Sequence, residues 1–143
     1  MSQTIMFIPL HPVTGAGDML ASDEFVEELT RHGIVLQELD DGGNYYALEL
    51  PEHGDYGNIE EDVFIHVQND KVHGVSITEP QSEGKAFWFL LLQMGYILRE
   101  GDDKTWYVSA DWATQYNKAG RPLAGVDQFH VIKRASDFEQ YSF

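Results

Sequence analysis

VFIHVQNDKVHGVSIT, residues 63–78, is the stretch whose reading decides the fold. Val63–Gln68 and Lys71–Thr78 are short runs rich in β-branched residues, which is the composition of strands. Asn69-Asp70 between them is a two-residue connection of the kind that closes a tight hairpin, because Asn and Asp tolerate the left-handed backbone such turns require. Pro80 has no N–H to give to a ladder and ends the second strand. In this register His66 and His73 stand opposite each other with Cβ atoms about 5 Å apart. Two imidazoles so placed are candidate metal ligands, with Asp62 as a third, or a pH-sensitive pair. The plainer reading is an ordinary half-exposed cross-strand pair. A three-residue loop would shift the register by one and separate them.

Working outward from the hairpin, Ile34–Leu39 and Tyr45–Leu50 read as strands around the turn-forming Asp40-Asp41-Gly42-Gly43-Asn44. Residues 51–61 are acidic and glycine-rich, and read as loop. Thr4–Pro9 is a first strand. Ser22 is placed to cap a helix over residues 22–32, with Asp23 and Glu24 in its first turn, Phe25, Val26 and Leu29 on its apolar face, and Gly33 as its stop. Downstream, a second helix is expected from Ser82 to about Arg99, closed by Gly101. Thr105–Ser109 reads as a strand, residues 111–125 as a turn or short helix followed by loop, Gln128–Lys133 as the last strand, and Ser136–Glu139 as a helical turn. The expected architecture is α+β: a single domain over residues 1–143, with a mainly antiparallel sheet of about six to seven strands and two helices packed on one face.

The second helix is apolar nearly all round. Phe87, Leu90, Leu91, Met94 and Leu98 form one face, and Trp88, Phe89, Leu92 and Tyr96 cover much of the rest. Such a helix must be buried on nearly every side. Either it is a central core helix, or its outer face is an interface, with Gly95 permitting a close approach and a homodimer as the commonest form of cover.

The chain carries 24 acidic residues against nine basic ones, a formal charge of -15. Charge of that size repels phosphate backbones and anionic membranes and attracts basic partners. At 43% hydrophobic and 13% aromatic, the chain is too apolar to be a disordered acidic segment. It has no cysteine, which rules out disulfides, thiolate catalysis and cysteine metal sites and suits a reducing cytoplasm. Met1–Leu10 lacks the positive flank of a signal peptide and is interrupted by Pro9. The longest apolar run, Ala86–Leu92, falls far short of the roughly 20 residues of a membrane span. A soluble cytoplasmic protein is therefore expected.

No motif assigns a reaction. Gly15-Ala16-Gly17 lacks the third glycine of a dinucleotide fingerprint, since position 20 is Leu20, and no Gly-Lys-Ser/Thr follows. The carboxylate pairs Asp40-Asp41, Glu60-Glu61 and Asp102-Asp103 fall in polar turns, where both members ionise, whereas acid–base catalysis needs them held apart in pKa. No nucleophile elbow or His-Glu-x-x-His segment occurs. No catalytic residue and no cofactor are assigned. Trp106, Tyr107, Trp112 and Tyr116 supply aromatics without the basic stripe of a nucleic-acid binder.

Three functional expectations follow. The first is a binding protein that captures a basic protein partner, immunity- or inhibitor-like in physical character, with Asp55, Tyr56, Glu60, Glu61 and Asp62 as the contact residues. The second is a small-molecule binder or enzyme whose pocket is lined by Trp88, Trp106, Tyr107 and Trp112, with His66 or His130 as its polar group. The third is an oligomeric accessory protein with the 82–99 helix as its interface.

Overall fold

Asn69 and Asp70 both adopt positive φ, 54° and 61°. They form the two-residue turn in which both central residues are left-handed, whose twist matches that of the flanking strands. The computed structural model describes residues 4–15, 21–32, 34–38, 45–49, 62–78, 85–99, 105–120 and 128–141. In chain order these form β1 (Thr4–Pro9), α1 (Ser22–Arg31), β2 (Val35–Glu38), β3 (Tyr45–Glu49), β4 (Asp62–Gln68), β5 (Lys71–Thr78), α2 (Lys85–Gln93), β6 (Tyr96–Arg99), β7 (Thr105–Ser109), α3 (Ala110–Ala119), β8 (Gln128–Ile132) and a 3-10 helix (Ala135–Gln140).

The fold is α+β. One eight-stranded sheet runs in the order β2-β3-β4-β5-β1-β6-β7-β8. Every neighbouring pair is antiparallel except β7 and β8, which run parallel. That exception is why α3 lies between them in sequence: two parallel neighbours need a crossover, and a helix is the usual one. The segment expected as a turn or short helix is this crossover helix.

The eighth strand is β6, and it corrects the expected second helix. The helix is α2, Lys85–Gln93, and Tyr96–Arg99 pairs with β1 and β7 in mid-sheet. Gly95, at φ 100°, takes the chain out of the helix where a residue with a side chain would be strained. Phe87, Trp88, Leu90, Leu91 and Leu92 of α2, and Tyr96, Ile97 and Leu98 of β6, are buried within their own chain. These side chains are covered by the sheet and by the 3-10 helix, against which α2 packs, while Phe89 and Met94 are only partly buried.

The core has two layers, one on each face of the sheet. In β6, β7 and β8 alternate residues divide between them, as the two-residue period of a strand requires. Leu98, Tyr107 and Ile132 join Phe7, Val63, Val75 and Ile77 beneath α1, α2 and Phe138. Ile97, Trp106 and Val108, with Val131 packed against them, lie beneath Trp112 and Ala113 of α3. Two helices therefore share one face, as expected, and α3 covers part of the other. The N-cap of α1 is Ala21 rather than Ser22, with no side-chain cap bond. Ala21 is held instead by a backbone bridge to Lys71. No helix among the described residues is long and apolar enough to cross a membrane.

Candidate functional site

Three regions are candidates for a functional site. The first is the hairpin histidines. Gln68 faces Lys71 and Val67 faces Val72, as the two-residue turn dictates, but His66 faces Gly74 because a β-bulge inserts His73 as an extra residue. The expected cross-strand His66–His73 pair is therefore not formed. Gly74 accompanies the departure: a Cβ there would lie 2.8 Å from Met6 Cε and 3.1 Å from the Phe7 carbonyl oxygen, so a side chain would require Met6 to move and β1 to give slightly. His66 Nε2 instead lies 2.7 Å from Ser76 Oγ, and the Ser76 hydroxyl donates to Met6 Sδ at 2.9 Å. The Phe64 ring meets the imidazole edge-on at 4.6 Å. Burial against these groups holds the His66 imidazolium below its ordinary range.

His66 and His73 do line one shallow groove, with Met6, Phe64, Val67 and Gln68. The backbone of Asp62 lies four residues away along β4, about 13 Å at the rise of a strand. Among the described residues, no group of three or more His, Cys, Asp or Glu side chains is placed to hold a metal ion.

The second region is the cleft at one end of the sheet. β1, β7 and β8 all point their C-terminal ends to it, since β1 and β7 each run antiparallel to β6. Leu10, His11 and Pro12 follow β1; Ser109 through Trp112 join β7 to α3; Ile132 and Lys133 close β8; and Phe89, Leu92, Gln93, Met94 and Gly95 come from the end of α2. The cleft holds about 670 Å3. Ser109 Oγ accepts the Trp112 N–H at 3.1 Å and so caps α3. The Trp112 indole N–H donates to the Leu10 carbonyl at 2.8 Å, which pins α3 to the end of β1. His11 Nδ1 accepts from the Val13 and Thr14 backbone N–H groups at 3.1 and 3.2 Å.

The four aromatics expected to share a pocket are divided by the sheet. Trp88 is buried edge-on to Phe138 at 5.5 Å, and Tyr107 meets Tyr141 at 4.9 Å and His130 at 5.2 Å, all on the α1–α2 face. Trp106 and Trp112 meet each other at 6.2 Å beneath α3. Of the four, Trp112 alone lines the cleft. His66 and His130 stand elsewhere. Sequence reasoning missed the cleft because strands far apart in the chain supply its residues; the parallel β7–β8 pair, which no local pattern announces, creates it.

The third region is electrostatic. Fifteen of the 24 acidic residues, but one of the nine basic residues, lie between Asp18 and Asp70. The rest of the chain holds nine acids against eight bases, so almost the whole net charge resides in that segment. The segment supplies α1, β2, β3 and β4. β2, β3 and β4 are the first three strands at one end of the sheet, and α1 packs on β2 and β5. Among the described side chains of this segment, Asp23, Glu24, Glu27 and Glu28 stand on α1 and Asp70 in the β4–β5 turn; its other ten acidic side chains lie outside the described ones. Of the expected contact residues, Asp62 opens β4, its backbone opposite Ala47 and Thr78. Asp55, Tyr56, Glu60 and Glu61 lie outside the described residues. Comparison of the chain with protein-family models, with curated proteins and with solved structures found no match.

Proposed function

We propose that this chain is a small acidic binding protein that captures a basic protein partner at the β2–β3–β4 end of its sheet. The observation that supports the reading is the segregation of charge along the chain: fifteen acids and one base fall between Asp18 and Asp70, the segment that supplies α1, β2, β3 and β4. A field of one sign on one end steers a cationic partner to that end and sets its orientation before contact. Asp55, Glu60, Glu61 and Asp62 are the contact carboxylates in this reading, with Tyr56 as the aromatic anchor of the kind that dominates interface energetics. The absence of cysteine suits action in the cytoplasm.

The reading is tested by pull-down with the tagged protein at low salt, elution with a salt step and identification by mass spectrometry. Recovery of one basic protein in stoichiometric amount, released as screening shortens the reach of the charges, is the expected result. Recovery of the bait alone from the lysate of its own source would overturn tight capture.

A further inference from the structure

The cleft at the ends of β1, β7 and β8 lies away from the acidic end of the sheet. Its volume, about 670 Å3, falls in the roughly 300–1,000 Å3 range of small-molecule sites. Three of its polar groups can donate to a ligand: His11, Ser109 and Lys133. Because His11 Nδ1 accepts two backbone N–H groups, the proton of the neutral ring sits on Nε2, and the imidazole offers the cleft a donor. The Ser109 oxygen accepts from Trp112, which leaves its own hydroxyl proton to give. Lys133 brings an ammonium that has no ion-pair partner among the described residues. The one carboxylate on the rim, Asp111, already accepts the Gln115 amide at 2.8 Å. Leu92, Met94 and Trp112 supply an apolar wall.

Lys133 and Asp111 are the charged residues that line the cleft, and beside Lys133 the Asp137 carboxylate accepts the backbone N–H groups of Lys133 and Arg134 at 2.8 and 3.2 Å. We propose that this cleft binds a small organic acid, its anionic head on His11 Nε2–H, the Ser109 hydroxyl and the Lys133 ammonium, and its apolar body against Leu92, Met94 and Trp112. The site is separate from the acidic surface and stands or falls without it.

Two fluorescent probes share one aromatic body and differ in charge: anilinonaphthalene sulfonate is an anion, and N-phenylnaphthylamine is neutral. The site predicts saturable one-to-one binding of the sulfonate, about tenfold tighter than the neutral probe, the scale of one charge-assisted hydrogen bond. Lys133→Gln weakens the sulfonate about three- to fivefold and leaves the neutral probe unchanged, since an exposed ammonium contributes modestly. Ala110→Trp, at an exposed position on the rim, abolishes binding of both. Circular dichroism checks that each variant keeps its fold, and both substitutions are at exposed residues. Equal affinity for the two probes, an equal effect of Lys133→Gln on both, no saturable sulfonate binding, or sulfonate binding untouched by Ala110→Trp would each overturn the proposal.

Discussion

Tyr96 shows how a single atom can be read. Its ring is buried beside Phe25, edge-on at 6.0 Å, and its hydroxyl is buried with no hydrogen-bond partner among the described residues. An unsatisfied buried hydroxyl costs about 1–3 kcal/mol, so Tyr96→Phe is expected to be neutral or to stabilise the fold by up to about that amount in urea unfolding. A loss of more than about 1 kcal/mol would show that the hydroxyl has a partner. Burial also pushes the phenol well above its usual range. The unfolded chain then releases its proton near pH 10 while the folded chain keeps it, so stability falls as pH rises above about 10. Tyr96→Phe removes that part of the alkaline loss. His66 works in the opposite direction. Its lowered value means that the unfolded chain takes up a proton first as pH falls below about 6.5, so stability present at neutral pH is lost through the folded-state value. His66→Gln keeps a polar atom near the Nε2 position. Its denaturation midpoint should fall less between pH 7 and pH 5 than that of the unchanged protein; equal falls would remove His66 from the account.

At the scale of elements, the β4–β5 hairpin was legible because its turn chemistry is local: Asn69-Asp70 needs two left-handed residues and has them. Asp at the second position is strained where Gly is free, so Asp70→Gly should stabilise the protein by about 0.5–1 kcal/mol. No gain, with the turn intact by NMR, would contradict that reading. The bulge at His73, three residues beyond Asp70, was not legible as a register shift, because no local turn signal marks it and β1, from far away in the chain, packs against Gly74. Tyr96–Arg99 was misread for a different reason. A strand buried on both faces is a continuous apolar run, and following Leu90-Leu91-Leu92 it has the same pattern as more buried helix. The signal that separates them is Gly95. α3 is the converse case, a weakly patterned segment made definite by its cap. Ser109→Ala should cost about 1 kcal/mol in thermal or urea unfolding. A cost near zero would mean that the bond to the Trp112 N–H contributes nothing to holding α3 at the cleft.

For the whole molecule, composition announced the net charge but not where it lies. The sequence places nearly all of it between Asp18 and Asp70, the segment that supplies α1 and the strands β2, β3 and β4. The same order places the cleft, with its donors, toward the opposite end. The acidic residues proposed as contacts can be listed from the sequence alone because charge is a local property. The cleft could not, because it exists only where β1, β7 and β8 end together. Two variants that lose the same amount of charge separate a localised surface from bulk acidity. One removes three carboxylates from the proposed contact segment with Asp55→Asn, Glu60→Gln and Glu61→Gln. The other removes three from the C-terminal part of the chain with Asp111→Asn, Asp127→Asn and Glu139→Gln. The decisive measurement is partner capture by both at low salt, beside the unchanged protein. The account predicts that the contact-segment variant loses the partner while the control retains it; equal retention or equal loss by the two variants would contradict it.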